Sequence, residues 1–391
     1  MFFEIISDQK TFITNMSHIL QYLSGSTSII PIKCNQHDLE QLSLNKWIYK
    51  SNNHNDNQLI KTMDVFNVET HRYLKKNGAD YINQGHYIIK WICSKGLIEI
   101  LKFMIDSGFN VLCKQSGALR YSAKYGQYEL LKYLLNTKSN IDDKNNYALY
   151  YASILGYYNI VKSLVYEYVS IYEPNENMDN IFSHAIILAT DGGHLPIIKL
   201  LLKYGGKYYY QKYLALRRAC RHGRDDIVKY ILDISNKKDN YQCAKCAIIY
   251  GHLTTIKILE IYGTNLRDRD DELLTIASEK GHYPIVKFLI SKGCNVQTYD
   301  NWSIRYAAVN GHDRIVRYLI KNGADISAIN YQSIKWACYN GHYQVVVSLL
   351  QSIPLNSISK IDLDEAIDWA LQRGHHKIIH LLLEKVEYST G

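Results

Sequence analysis

The sequence predicts an all-α helical solenoid of about ten stacked repeats plus a degenerate N-terminal unit. Three observations carry that expectation. A glycine followed by an amphipathic run recurs at Gly96, Gly126, Gly156, Gly193, Gly223, Gly251, Gly281, Gly311, Gly341 and Gly374. The intervals are 30, 30, 37, 30, 28, 30, 30, 30 and 33 residues, so six of nine are identical, which marks an internal repeat. Four positions before the glycine stands alanine in eight of the ten units, from Ala152 to Ala370.

Each unit can be justified in order. The segment before the glycine reads as a short helix with an apolar residue seven positions back, as at Ile304 and Ile334, Ala244 being the small exception. The alanine leaves room for the helix of the next unit to approach. The turn glycine ends this helix where the chain needs a positive φ. Apolar residues four, five, eight and nine positions on, as in Ile285, Val286, Leu289 and Ile290, form the inward stripe of a second helix. A further glycine twelve positions on closes it at Gly108, Gly205, Gly263, Gly293 and Gly323. Two such short helices cannot cover their own apolar face, so neighbouring units must.

The segments 272–296 (ELLTIASEKGHYPIVKFLISKGCNV) and 301–326 (NWSIRYAAVNGHDRIVRYLIKNGADI) resemble ankyrin repeats. They carry the A-A-x-x-G-H-x-x-I-V-x-x-L-L-x-x-G-A-D core, and the resemblance covers roughly 80–391. The interval is 30 rather than 33, and the T-P-L-H opening is replaced by residues such as Trp302-Ser303 or Gln332-Ser333. That shortening implies a tight turn where the family has a β-hairpin finger. The tyrosine- and lysine-rich version is similar to the ankyrin families of giant amoebal viruses. The resemblance implies a non-catalytic protein-interaction scaffold, here a viral one acting on host proteins in the infected cell's cytoplasm as a monomer.

Three blocks follow: a capping segment over 1–54, a degenerate unit over 55–83, and ten repeats over 84–391 with an insertion near 170–180. Within the first, HILQYL and HDLEQLSLNKWIY suggest two short helices. In the second, RYLKKNGAD (72–80) matches RYLIKNGAD (317–325) and puts Phe66 in the glycine's place. The polar stretch NHNDNQLIKTMD suits a terminal unit with one neighbour. The extra residues near YEPNENMDN read as a polar loop. HLLLEKVEYSTG suits a C-terminal cap.

Composition narrows the function. Hydrophobic residues are 47% and charged residues 21%, a foldable balance. Tyrosine supplies 34 of the 47 aromatics, an excess that AT-rich codons explain as well as function does. The net charge of +8 permits an acidic partner without demanding nucleic acid. Eight scattered cysteines make no disulfide framework and fit a reducing, intracellular compartment. MFFEIISDQK, with Glu4 and Asp8, lacks the basic start of a signal peptide, and no apolar run approaches the ~20 residues of a membrane span.

Catalytic and metal signals dissolve into the repeat. Cys243-x-x-Cys246 has no second ligand pair at finger-like spacing, and both cysteines occupy packing positions. His194, His252, His282, His312, His342 and His375 follow turn glycines in units ~8–10 Å apart. Ligands of one zinc at ~2.0–2.1 Å each lie closer than that, so these read as turn histidines. No phosphate loop or nucleophile elbow is found, and the expectation is no enzyme and no cofactor.

One basic row stands out six positions before the glycine: Lys90, Arg120, Arg217, Lys245, Arg305 and Lys335, with Tyr150, Ile187, Thr275 and Asp368 in the other units. By the resemblance, first helices line the groove where partners bind, so this row is the candidate surface for an acidic protein. The alternative is a position preference that holds adjacent loops by hydrogen bonds. A second row six after the glycine, from Lys102 to Arg317, reads as a solvated outer face. Two other functions fit less closely. One is nucleic-acid binding through the basic groove, with Tyr241, Tyr299, Trp302 and Tyr331 stacking on bases. The other is recruitment of a ubiquitin ligase through 1–54.

Overall fold

The structure is a computed structural model. It describes the strands within 2–64 as backbone and residues 66–390 apart from 77–78, 85–87, 112–116, 138–145, 174, 236–239 and 355–357. Six strands come first: β1 (Phe2–Ser7), β2 (Lys10–Asn15), β3 (Ser26–Ile32), β4 (Leu39–Ser43), β5 (Lys46–Tyr49) and β6 (Met63–Asp64). They form one antiparallel sheet in the order β4-β5-β2-β1-β3-β6. The expected second helix of the capping segment is therefore corrected to β4 and β5. The alternation in LEQLSLNKWIY, with β-favouring Trp47, Ile48 and Tyr49 near its end, suits a pleat better than a helix. HILQYL lies outside the described residues.

Helices follow: α1 (Val68–Lys76) and α2 (Tyr81–Gln84), then ten pairs. The pairs are α3 (Ile89–Lys95) with α4 (Ile98–Asp106), α5 (Ala118–Lys124) with α6 (Tyr128–Asn136), α7 (Tyr147–Leu155) with α8 (Tyr158–Ile171), and α9 (Glu176–Gly192) with α10 (Leu195–Lys203). They continue with α11 (Tyr210–Arg221) and α12 (Asp225–Ile234), α13 (Tyr241–Ile249) and α14 (Leu253–Ile261), and α15 (Asp268–Glu279) and α16 (Tyr283–Ser291). The last are α17 (Thr298–Val309) and α18 (Asp313–Lys321), α19 (Ala328–Tyr339) and α20 (Tyr343–Gln351), and α21 (Lys360–Leu371) and α22 (His376–Thr390). Among the described residues from 66 onward no strand occurs. The chain forms two compact units, Met1–Lys207 and Tyr208–Gly391, and within each the first helices pack in succession.

Of the degenerate repeat, α1 forms where RYLKKNGAD predicts a second helix. Asn67 starts it by accepting from the Glu69 N–H at 2.9 Å. At the end of its expected first half, Met63 and Asp64 belong to β6, and NHNDNQLIKT lies outside the described residues.

The insertion differs from the expected loop. The extra residues lengthen helices: α8 has 14 residues and α9 has 17, leaving a short connection at 172–175. Asn175 caps α9 by accepting from Met178 N–H at 2.9 Å, and Met178, Ile181, Phe182 and Ala185 supply a buried stripe at helical spacing.

The turn between paired helices is built alike throughout. Gly311 has φ 76°, and the His312 N–H reaches the Ala307 carbonyl at 2.9 Å, a Schellman closure. The alanine's methyl is meanwhile fully buried against the next unit, as at Ala277, Ala307 and Ala337. The histidine then reaches backward. His312 Nε2 lies 2.9 Å from the Glu279 carbonyl, two residues before the preceding turn glycine. His252, His282, His342 and His375 make the same bond to Arg221, Ile249, Val309 and Tyr339 at 2.8–3.1 Å, and His194 makes it to Ile154 at 3.2 Å. A carbonyl only accepts, so Nε2 carries the hydrogen in each. These carbonyls lie in the last helical turn, where no intrahelical donor remains. Gln127 substitutes for histidine, donating to Ser94 O at 3.0 Å.

The other connection is a left-handed turn in place of a hairpin finger. Arg269–Asp271, Tyr299–Asn301 and Ile329–Tyr331 each place three residues at φ 51–61°. The right-handed helix begins at the next residue. Such residues cost roughly 1–2 kcal/mol each. Tertiary bonds offset part of that: buried Asp271 accepts from Asn295 N–H and Asn301 from Asp325 N–H, both at 2.8 Å. The second helices bury the predicted stripe, with Ile285, Val286 and Leu289 inside and Ile290 half-buried.

His312→Ala should lower stability by about 1–2 kcal/mol, because it leaves a carbonyl without its donor. His312→Gln should restore most of the loss. The urea midpoints of the two variants check this, and equal midpoints would disprove the role of the bond.

Candidate interaction surface

The row six before each turn glycine lies on the first helices, as expected, but its members differ in what holds them. Lys90 is exposed on α3, and Arg120 on α5 is half-buried with its guanidinium 5.1 Å from the Tyr121 ring centre. Arg217 on α11 is half-buried, with Arg218 beside it and exposed Arg221 one turn on, 4.9 Å over Tyr250.

The remaining three are engaged by the following unit. Lys245 Nζ donates to Glu272 at 2.6 Å. Arg305 donates to Gln332 and stacks 5.1 Å over Trp336. Lys335, its side chain 6% exposed, donates to Asp362 at 3.0 Å and Glu365 at 2.5 Å. The acceptor stands 27 residues further on at Glu272 and Gln332, and 27 and 30 further on for Lys335. That spacing was the signal for this ladder, and Lys90 and Arg120 have Gly117 and Tyr147 there instead. Elsewhere in the row Thr275 pairs with Ser303 at 3.3 Å, Tyr150 packs against His184, and Ile187 is buried. Asp368 is exposed.

Titration follows these bonds. The Lys245 ammonium and the Tyr241 hydroxyl hold Glu272 below the usual carboxylate range. Burial pushes Asp362 up, but the bonds from Ser359 and Lys335 together outweigh it and hold it low. Burial likewise pushes Lys335 down, and its two carboxylates outweigh that and hold it high.

Of the aromatics considered for base stacking, Tyr241 is buried, bonds Glu272 and carries Arg269 at 4.4 Å over its ring. Tyr299 and Trp302 are exposed and stacked on each other at 5.3 Å, while Tyr331 is half-buried. Cys243 is buried and Cys246 half-buried. Burial pushes the Cys246 thiol up, and Cys294 and Cys338 are pushed up to about 12, which opposes thiolate formation. No helix among the described residues is long and apolar enough to cross a membrane. In the outer row Lys102 pairs with Glu99 and Arg317 with Asp313, both within one turn of a solvent-facing helix.

The repeated helix pair, its glycine turn and its alanine contact coincide with a known sequence profile. The model of ankyrin repeats (3 copies) matches residues 88–178, 149–244 and 241–330. The chain belongs to the ankyrin-repeat family. No curated protein matches it. Ankyrin-repeat proteins are generally non-catalytic scaffolds, and the repeats indicate a protein–protein interaction scaffold here. The row leaves basic groups on α3, α5 and α11, whereas its cations on α13, α17 and α19 are engaged by the next unit.

Lys335→Ala should destabilise this ankyrin array by about 1–3 kcal/mol, less than a fully buried pair because Glu365 is half in water. Lys90→Ala should cost nothing measurable. Because Glu272 and Asp362 are held low, their contribution is whole above the usual carboxylate range. It is lost as pH falls through their folded values. The raised Lys335 keeps its contribution until pH climbs past its own elevated value. Acid unfolding of Glu272→Gln should accordingly be less steep than that of the parent.

Proposed function

We propose that this scaffold binds acidic protein surface through its basic first helices, at Lys90 and Arg120 in the first compact unit and, as a separate contact, at Arg217 in the second. The observation that carries it is the division of the basic row. Lys245, Arg305 and Lys335 have acceptors supplied by the next repeat, whereas Lys90 is exposed, Arg120 lies against Tyr121 of its own helix and Arg217 reaches the Gln211 carbonyl of its own helix at 3.5 Å. Rigid stacked helices present such groups with little entropy to lose on binding, and opposite charge chooses the partner.

The shortened interval and the abundance of tyrosine and lysine resemble the ankyrin families of giant amoebal viruses. On that resemblance we assign the chain to a virus, acting as a monomer on a host protein in the cytoplasm. Nucleic-acid binding is the weaker proposal. Phosphates approaching the stacking candidates Tyr299 and Trp302 would meet Asp270, Asp300 and Glu272.

Affinity capture from host lysate with the parent, with K90E/R120E/R217E and with the outer-face control K132E/K229E/K287E tests the assignment. Partners should disappear with the first triple variant and persist with the second. Identical captured sets from all three would refute it. Binding to heparin that collapses between about 50 and 200 mM salt would favour nucleic acid instead.

A further inference from the structure

The last three first helices carry a surface of the opposite sign. Four aromatic rings run continuously along α17 and into α19: Tyr299 against Trp302 at 5.3 Å, Trp302 against Tyr306 at 5.7 Å, and Tyr306 against Trp336 at 6.1 Å. Tyr339 and Trp369 add a second contact at 6.0 Å between α19 and α21. Tyr299 and Trp302 are exposed, and Tyr306, Trp336 and Trp369 are half-buried. A soluble surface spends aromatic area of this extent where something covers it.

The charges beside the rings specify the cover. Asp300, Asp364, Glu365 and Asp368 are all exposed. Asp368 occupies the very row position where other units hold lysine or arginine. Three nearby cations are already committed: Arg305 to Gln332 and Trp336, Lys335 to Asp362 and Glu365, and Arg373 to Tyr339, 4.4 Å over its ring and bonded to its hydroxyl at 2.6 Å. Two rings of the strip thus already bear one of the protein's own guanidinium groups, the arrangement an incoming arginine would adopt on the open ones. Cation–π contacts attract a guanidinium or ammonium to the ring face, and flanking carboxylates add direction.

We propose that the first-helix face of α17, α19 and α21 binds an arginine- or lysine-rich segment of a partner protein. The proposal rests on the scaffold reading but not on the basic row, and it adds a docking surface of its own. An extended segment of nine residues reaches about 30 Å, enough to cross three helices spaced ~8–10 Å apart.

Fluorescence anisotropy of a labelled nona-arginine peptide on the full chain tests it, with nona-glutamate as the opposite probe. The net charge of +8 repels a polycation at long range, so binding has to come from a local acidic aromatic site. Nona-arginine should bind saturably, with affinity falling three- to tenfold in Asp368→Lys and at least threefold in Trp302→Ala. Both side chains are exposed, and unchanged thermal melts would show the variants folded. The charge reversals K90E/R120E/R217E should leave this binding intact or strengthen it. No saturable binding of nona-arginine, binding by both strip variants as tight as by the parent, or nona-glutamate binding lost in Trp302→Ala would overturn the proposal. The capture experiment on the basic row would stand or fall separately.

Discussion

The array depends on one contact: a histidine ring laid over the turn glycine of the unit before it. A methyl group added at Gly311 would lie 2.7 Å from Nδ1 of His342, and at Gly281 2.6 Å from His312. Only a residue without a side chain lets the ring reach past to the helix-end carbonyl. The positive φ of the turn asks for glycine on separate grounds, so backbone and packing agree on one residue. Each unit that bears the histidine, or Gln127 in its place, therefore supplies the donor for its predecessor. Stability in such a fold is largely a sum of neighbour terms, and this bond is a large polar part of each term.

Two requirements compete on the first helices. The face that receives partners is also where successive units must be tied together, and long cations serve either purpose. Where the following unit places an acid or amide 27 residues on, the lysine or arginine turns sideways and is consumed in the tie. Where it places Gly117, Lys90 stays exposed, and where it places Tyr147, Arg120 lies half-buried against Tyr121 of its own helix. The aromatic strip from Tyr299 to Trp369 takes over where the cations are withdrawn. One row thus presents different chemistry along its length without any change in the backbone.

The repeat, its turn glycines, the buried alanines and the histidines as turn residues were legible in the sequence, because each recurs in phase and recurrence exposes packing. What recurs only between units was harder to see. The acceptor ladder of Lys245, Arg305 and Lys335 needed the residue 27 positions on to be read together with the row. The helix over 176–192 was hidden because Glu173, Asn175, Glu176 and Asn177 look like a loop, although Asn175 is a capping residue ahead of an apolar stripe. The strands within 2–64 lie outside the periodic part, where the helical expectation for HDLEQLSLNKWIY rested on local pattern alone. The left-handed turns at 269–271, 299–301 and 329–331 have no clean signature, since Arg, Tyr and Ile ordinarily avoid that conformation. Their tertiary bonds, not their propensities, select it.

The histidine link has a genetic consequence. Because the donor, the glycine gap and the accepting carbonyl all lie within one thirty-residue module, a tandem duplication of the gene segment joins compatible ends at once. A copied unit meets its neighbours with every bond already provided. Such a chain can lengthen or shorten by whole modules while the groups that choose partners drift independently in each copy.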